Sequence, residues 1–261
     1  MNTIKKILIP VDFSESSQAA IQYVLGMTKN DSTVRCDLIY IAPEESTSEE
    51  IINTKKELQE IASSYFIPAH VEIDYYVKTG ELTEVLLQAK KELEADLIIM
   101  GTAGSTEEGV ESHTSLLLKK ADCPVLVVPQ NIEEFSLKNI ALALDDKEID
   151  DAGSLGVLHD IARWFDAKIH LLTVEKGNGK ATPVGTTNEE TLEYYLDTLD
   201  YHHSFAKNSD IEMGLRNYVD EKGIDILAIM PRNHAKKGTP SAGELTNILA
   251  LHSTKPLLVI D

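Results

Sequence analysis

The chain carries one set of short apolar segments twice, and this duplication constrains its fold more than any other feature. Three segments recur about 130 residues apart: KKILIPVDFSE from Lys5 and KNIALALDDKE from Lys138, DLIIM at 96–100 and DILAIM at 225–230, CPVLVVP at 123–129 and KPLLVID at 255–261. The polar stretch QNIEEFS at 130–136 separates the copies. We therefore expect two similar domains, over 1–131 and 136–261, and 261 residues are enough for both.

Each copy predicts an alternation of strands and helices. In the first copy KILIPV is almost continuously aliphatic, which is typical of a strand buried on both faces. Ser14 is then a candidate cap for a helix that runs to about Met27. Further strands are predicted near 36–42, 70–77, 97–100 and 124–128, and further helices near 48–64, 81–93 and 114–120. This alternation predicts a parallel sheet covered by helices on both faces.

Within the second predicted helix, four apolar residues share one face: Ile51, Ile52, Leu58 and Ile61. The second copy repeats the order, with strands near 139–144, 168–174, 201–206, 226–230 and 257–260 and helices near 151–164, 188–198, 209–222 and 243–251. KGNGKATPVGTTN at 176–188 is rich in Gly, Thr and Asn, so it predicts a mobile loop.

Two residues of the first copy mark a candidate site at the edge of the predicted sheet. Open parallel sheets bind ligands beyond the carboxyl ends of their strands, where the strand order reverses. Asp12 ends the first strand and Gly101 ends the fourth. If these strands are neighbours at the reversal, both residues face one crevice.

Three parts of the sequence resemble the universal stress protein family: the start ILIPVDFSESSQAAI, the turn DLIIMGTAG and the ending CPVLVVP. The likeness covers both copies, so the chain resembles a tandem member. The resemblance implies an α/β fold with two tandem doubly wound five-stranded parallel sheets of order 3-2-1-4-5, like the adenine nucleotide alpha hydrolases. It also implies that the last strands pair the two halves as a pseudo-dimer, with a homodimer of chains as a further candidate assembly.

The resemblance makes ATP, with Mg²⁺, a candidate ligand of the first half. Nucleotide-binding members carry Gly, two residues, Gly, nine residues, Gly, and then Ser or Thr. Glycines let backbone N–H groups approach phosphate oxygens, and a helix N-terminus adds positive potential. Gly101 and Gly104 match the first part of the motif. Thr114 stands where the third glycine is expected and Ser115 takes the hydroxyl position, although a gapped alignment places Ser112 there.

The residues around this motif favour nucleotide binding in part. The resemblance places Pro10, Val11, Asp12 and Ile41 around adenine and ribose, and Met100 before the glycine turn. Three glutamates in the loop, Glu107, Glu108 and Glu111, would repel a triphosphate unless magnesium or outward rotamers relieved the repulsion. Asp12 has an alternative role as an acceptor for backbone N–H groups at the start of the first helix, and Ser14 as a plain helix cap.

The second copy lacks the glycine motif. After AIM come Pro231, Arg232, Asn233 and His234, and proline has no N–H to offer a phosphate. Glu244 follows Gly243 where the hydroxyl is expected, although Asp145 and Asp146 keep the acidity of the first turn. We expect this half to be a degenerate copy that stabilises the first. Arg232 and His234 either hold an anion or form a structural pair.

Composition excludes several classes of partner. The formal net charge of −19 disfavours nucleic acid and anionic membranes. No apolar stretch approaches the roughly 18 residues that span a bilayer, and no signal peptide is evident, so we expect a cytoplasmic protein. Cys36 and Cys123 are expected to be buried thiols, not a disulfide.

Two functions remain open at this point. One is a stress-response protein whose first half binds an adenine nucleotide, and the other is a nucleotide-independent structural or interaction module. We do not expect an enzyme, because the chain has no Gly-x-Ser-x-Gly elbow, Walker loop or His-Glu-x-x-His helix, although slow ATP hydrolysis stays open. We expect no metal site either, because His202 and His203 should point to opposite faces of a strand.

Overall fold

The computed structural model describes residues 4–29, 33–104, 112–132, 135–144, 149, 153, 155–175, 185–230, 246, 249–250 and 253–260. The chain divides into two compact units, Met1–Phe135 and Ser136–Asp261. Both units have an α/β fold with parallel strands, as the alternating pattern predicts.

The strands of the first unit are β1 (Lys6–Pro10), β2 (Arg35–Ala42), β3 (Glu72–Thr79), β4 (Leu97–Thr102) and β5 (Val125–Pro129). Its helices are α1 (Glu15–Thr28), α2 (Ser48–Ile61), α3 (Leu82–Glu92) and α4 (His113–Lys120). β1 lies between β2 and β4, β3 pairs with β2, and β5 pairs with β4, always in parallel. The order is therefore β3-β2-β1-β4-β5. α1 packs on β4 and β5, and α2 packs on β2 and β3.

Capping side chains explain where the first two helices begin. Ser14 is the N-cap of α1, and its Oγ accepts the Ser17 N–H at 3.2 Å, which confirms the predicted cap. Thr47 and Glu50 form a reciprocal capping box at α2, in which the Thr47 side chain accepts the Glu50 N–H and the Glu50 carboxylate accepts the Thr47 N–H.

The core of the first unit consists of the aliphatic strands. Residues 7–9 of β1 and 97–99 of β4 are completely buried, as expected for strands covered on both faces. Cys36 and Cys123 are buried thiols that form no disulfide, which confirms that prediction. Burial raises the pKa of the Cys36 thiol, so this sulfur stays protonated and unreactive at neutral pH.

The second unit contains β6 (Asn139–Ala143), β7 (Lys168–Glu175), β8 (Tyr201–Lys207), β9 (Ile226–Ile229) and β10 (Leu257–Val259). Its helices within the described residues are α5 (Leu155–Phe165), α6 (Gly185–Leu196) and α7 (Ile211–Lys222). β6 lies between β7 and β9, β8 pairs with β7, and β10 pairs with β9.

In each unit an aspartate carboxylate fastens the start of the central strand. Asp96, just before β4, accepts the N–H groups of Lys5 and Lys6 through Oδ2 at 2.8 and 2.9 Å. Asp225, just before β9, accepts those of residues 138 and 139 at 2.7 and 2.9 Å. The first Asp of the repeated DLIIM and DILAIM segments therefore has the same structural role in both copies.

Phe135, from the predicted connecting stretch, belongs to the first unit. Its ring lies 5.0 Å from that of Tyr23 on α1, in an edge-to-face arrangement. A β-carbon on Gly26, one helical turn further on, would lie 2.3 Å from Cγ of Phe135. The glycine therefore makes room for this aromatic ring.

Two expectations from the sequence are wrong in detail. The predicted apolar face of α2 is buried only at Leu58, while Ile52 is 55% exposed. The helix ends at Ile61, earlier than predicted. A π-helical turn, Ala62–Phe66, follows and buries Phe66 in the core. Residues 185–188 belong to α6 and not to the predicted mobile loop, the rest of which lies outside the described residues.

Candidate functional site

The ends of β1 and β4 lie side by side where the strand order of the first unit reverses. β1 pairs with β2 on one side and with β4 on the other, and Ile7 and Leu8 are level with Leu97 and Ile98. Because all these strands are parallel, their carboxyl ends open at one edge of the sheet. This edge is where ligands bind in sheets of this type.

Asp12 is held by the first residues of α1. Its Oδ1 accepts the Ser14 N–H at 3.0 Å and the Ser14 hydroxyl at 2.5 Å. Burial raises the pKa of Asp12, but the hydrogen bonds from Ser14 outweigh this effect, so the pKa lies below its ordinary value. The carboxylate is therefore charged at neutral pH and already solvated by the protein, as its alternative structural role requires.

Gly101 lies where β4 passes beneath the first turn of α1. A β-carbon at Gly101 would lie 1.8 Å from the Ser16 carbonyl oxygen and 2.9 Å from the Ser17 nitrogen. These are backbone atoms, which cannot rotate away from a side chain. The close approach of α1 therefore requires glycine here, whether or not a ligand binds.

Gly104 forms the turn that follows β4. Its φ of 82° lies in the left-handed region, which favours glycine. Its N–H donates to Oγ1 of Thr102 at 3.2 Å, and Thr102 is buried. A phosphate at this turn would have to take the Gly104 N–H from the Thr102 hydroxyl.

Ser112 caps α4. Its Oγ accepts the Ser115 N–H at 3.1 Å, and its hydroxyl lies 3.1 Å from Oγ of Ser115. Thr114 and Ser115 are only 5% and 3% exposed, so their side chains are enclosed by protein. The N–H groups of His113 and Thr114 are in the first turn, where a helix offers no internal acceptor. Because α4 follows β4, they lie at the carboxyl edge of the sheet.

Apolar residues border the same edge. Val11 continues the pairing of β1 with β2, since its N–H donates to the Ile39 carbonyl at 2.8 Å. Val11 and Met100 are 4% and 7% exposed, whereas Pro10 and Ile41 are half-buried. The two half-buried side chains are those with surface left for a ligand.

Comparison with known proteins identifies the family. The universal stress protein family model matches residues 3–129. A universal stress protein of Methanocaldococcus jannaschii is 32% identical over 155 residues, which are 51% of this chain and 86% of the relative. The chain belongs to the universal stress protein family.

Two further comparisons extend this result. A universal stress protein of Synechocystis is 29% identical over 134 residues, covering 48% of this chain and 85% of the relative. The crystal structure of a universal stress protein from Archaeoglobus fulgidus aligns over 98% of both chains with a TM-score of 0.77 at 15% identity. This structural likeness covers both copies and concerns the fold alone.

An aromatic pair beside the site of this universal stress protein was not predicted from its sequence. Phe13 stacks on Tyr40 of β2, with ring centroids 5.3 Å apart and planes 27° apart. Phe13 has a φ of 62° and is 40% exposed, a strained conformation for a bulky residue. Tyr40 and Ala42 also line a groove of about 400 Å³ against α2. Ile41 lies between them in sequence, so its side chain projects from the other face of the sheet.

The sequence also missed His170, a buried residue of β7 in the second unit. Its Nδ1 lies 2.8 Å from the Tyr218 hydroxyl of α7, and its ring centroid is 4.3 Å from that of His202. His203 is exposed and its ring lies 6.4 Å from that of Tyr201, so the two neighbouring histidines do point to opposite faces. The alternation of strand side chains was the only signal for this pairing.

Several candidate residues lie outside the described residues. They are Glu107, Glu108 and Glu111 of the glycine loop, and Asp145, Asp146, Pro231, Arg232, Asn233, His234, Gly243 and Glu244 of the second copy. Among the residues that the structure describes, no group of three or more His, Cys, Asp or Glu side chains could hold a metal ion. In that same part of the chain, no helix combines the length and apolar character needed to cross a membrane.

Proposed function

We propose that the first half of this universal stress protein binds an adenine nucleotide, ATP with Mg²⁺ in the first instance. Binding would set the conformation or the partners of a cytoplasmic stress-response protein. The observation that carries the proposal is the convergence of three features at the strand-order reversal. They are the end of β1, the turn through Gly101 and Gly104, and the first turn of α4.

The first unit offers a distinct set of groups to each part of the nucleotide. Pro10 and Ile41 present half-buried apolar surface for the base, with Val11 and Met100 packed behind them. The phosphates would meet the Gly104 N–H, the first amides of α4 and the Ser112 hydroxyl. These donors suit an anion at a helix N-terminus. Bound magnesium would offset the repulsion between the phosphates and the Asp12 carboxylate.

We propose that the second half is a degenerate universal stress protein domain that does not bind a nucleotide. Its segment after β9 contains Pro231, which cannot donate an N–H, and lacks the Gly-x-x-Gly spacing. We further propose binding without rapid turnover, because the carboxylate that ends β1 is already engaged by hydrogen bonds. That carboxylate belongs to Asp12, which accepts two hydrogen bonds from Ser14.

Specific contacts favour the alternative, a nucleotide-independent interaction module. Gly101 is required by the backbone of α1, Asp12 is satisfied by Ser14, and the Gly104 N–H has Thr102 as its acceptor. Each of these residues therefore has a structural role of its own. Under this alternative the glycine turn persists only because the packing of α1 and the turn conformation need it.

One experiment distinguishes the two functions. The purified full-length chain is denatured and assayed for released adenine nucleotide, and ATP with Mg²⁺ is then titrated into nucleotide-free protein by calorimetry. Released nucleotide, or a binding isotherm at or below millimolar ATP, supports the first function. No released nucleotide and no heat at millimolar ATP would establish the alternative.

A matched pair of variants tests the assigned site. Gly104→Asn and Gly104→Asp have nearly equal size, and both residue types tolerate the left-handed backbone better than others. Only the aspartate adds a negative charge beside the proposed phosphate. We expect Gly104→Asp to weaken ATP binding at least tenfold relative to Gly104→Asn. Equal affinities in the two variants would show that the phosphates do not bind at this turn.

Assembly is a separate proposal. From the family resemblance we infer that the last strands of the two halves pair within one chain, and that two chains can form a homodimer. Light scattering on the purified chain measures its mass directly and decides between monomer and homodimer.

A further inference from the structure

A pair of histidines lies in the second unit, whereas the proposed nucleotide site belongs to the first. His170 of β7 and His202 of β8 are level with each other on neighbouring parallel strands. Their ring centroids are 4.3 Å apart, and the Tyr218 hydroxyl of α7 closes the cluster at 2.8 Å from Nδ1 of His170. His170 is 7% exposed and Tyr218 is also 7% exposed.

Two ring nitrogens in this cluster lack a hydrogen-bond partner. Nε2 of His170 and Nδ1 of His202 are both shielded from solvent and have no partner among the described residues. A neutral imidazole tolerates one unpaired acceptor nitrogen, but an imidazolium must donate from both nitrogens. Protonation of either ring would therefore create a buried N–H⁺ with no acceptor, which is strongly unfavourable.

The charged groups around the pair add to this cost. Lys168 of β7 and Lys222 of α7 both act electrostatically on His170, and both repel an imidazolium. Asp200, just before β8, opposes them, but its carboxylate forms an ion pair with Lys168 at 3.5 Å. His203 adds repulsion at His202, and the β6 neighbour of His170 is the uncharged Ala141.

The first unit has carboxylates where the second has imidazoles. Asp37 of β2 and Asp74 of β3 are level with each other, as His170 and His202 are. Asp37 is 2% exposed, and its Oδ2 lies 3.7 Å from Nζ of Lys6. At equivalent positions of the duplicated fold, protonation therefore neutralises the buried carboxylate of Asp37 in the first half and creates a buried positive charge at His170 in the second.

We propose that the His170–His202–Tyr218 cluster is an acid-sensitive switch that loosens the α7, β7 and β8 face of the second unit at mildly acidic pH. Protonation of the imidazoles separates the rings from each other and from Tyr218. The first unit lacks this response, so the two halves of the chain react differently to the same fall in pH.

The direction and size of the effect follow from proton linkage. Burial, together with repulsion from His202 and the two lysines, lowers the pKa of His170 from 6.5 to about 4 in the folded chain. Burial also lowers the pKa of His202. The unfolded chain therefore binds more protons between these two values, so stability is complete above pH 6.5 and is lost as the pH falls toward 4. For His170 alone, the unfolding constant rises about 20-fold from pH 7 to pH 5. In the first unit the response has the opposite sign, because burial raises the pKa of Asp37.

The chain contains a natural reporter for the second unit. Trp164 is its single tryptophan and lies in α5, 9% exposed. Urea unfolding of the full chain, followed by Trp164 fluorescence at pH 7 and pH 5 with a chelator present, measures the unfolding constant of that half. We expect the ratio of the constants at the two pH values to be about 20-fold larger in the parent than in His170→Gln.

His203→Gln is the matched control, because it removes an exposed histidine from the same strand. It should change the ratio only slightly, because His203 is the weakest of the charges acting on His202. His202→Gln should lower the ratio clearly, and this second variant carries the test if His170→Gln does not fold. Hydrogen exchange adds a readout for both halves: at pH 5 we expect peptides from β7, β8 and α7 to lose protection, corrected for intrinsic rates, and those from β2 and β3 to keep it. Parental pH dependence in His170→Gln and His202→Gln, or equal loss of protection in both halves, would overturn the proposal.

Discussion

Replacing Gly101 with alanine tests the packing that brings α1 over the end of β4. The new β-carbon would lie 1.8 Å from the Ser16 carbonyl oxygen, and ordinary contact begins at 3.4 Å. Overpacking against side chains costs about 1–3 kcal/mol. Here the opposing atoms are the backbone of α1, so the whole first turn must move. We therefore expect a loss of about 3 kcal/mol or more from the free energy of unfolding of the first unit.

Differential scanning calorimetry of the full chain measures this effect. A loss of about 3 kcal/mol should lower the Tm of the first unit by about 10 °C. Gly223→Ala is the control, because Gly223 has a φ of 60° but nothing within 4 Å of its missing β-carbon. Its backbone strain alone should cost about 1 kcal/mol. An unchanged Tm in Gly101→Ala would refute the claim that α1 requires this glycine. If the claim holds, lost ATP binding in this variant says nothing about phosphate contacts, so the two Gly104 variants are the better test.

Three further predictions concern the first unit. Gly26→Ala should lower the free energy of unfolding by about 1–2 kcal/mol, because the new methyl group displaces the Phe135 ring. In a Phe135→Ala chain the same change should be neutral or stabilising, and a double-mutant cycle followed by urea unfolding measures the difference. Thr47→Ala removes the capping box of α2 and should cost about 1 kcal/mol in the same assay, and no loss would mean that Glu50 alone caps the helix. Because hydrogen bonds from Ser14 hold the pKa of Asp12 below its ordinary 3.8, its stabilisation is present above that value and is lost as the pH falls further. The free energy of unfolding should therefore fall less steeply with decreasing pH in Asp12→Asn than in the parent. Identical pH dependence would show that the folded state does not stabilise the Asp12 carboxylate.

The sequence predicts local features well where one segment decides the outcome. The aliphatic run of β1 is buried on both faces, and Ser14 caps α1, because strand burial patterns and capping depend on residues close in the chain. The apolar face of α2 was predicted less well. A helical repeat cannot reveal that the α-helix widens into a π-helical turn at Ala62, which changes the face that the following residues present.

The candidate site was predicted only as a set of residues. Sequence spacing singled out Gly101, Gly104 and Ser115. In the structure each of them contacts a group that the spacing of the motif does not specify. Gly101 faces the backbone of α1, Gly104 donates to Thr102, and Ser115 is enclosed behind the cap Ser112. These contacts depend on how separate segments pack and on which rotamer each side chain adopts, and a motif encodes neither.

By itself, the sequence determined the duplication, the alternation of strands and helices, and the family, because each is carried by short segments whose pattern survives without knowledge of distant contacts. Only the tertiary structure decided which polar groups meet across neighbouring strands. It sets His170 against His202 and Asp37 against Asp74 through the register of parallel strands. That register joins residues more than thirty positions apart, and the free energy of burying a charge depends on the neighbours it acquires there.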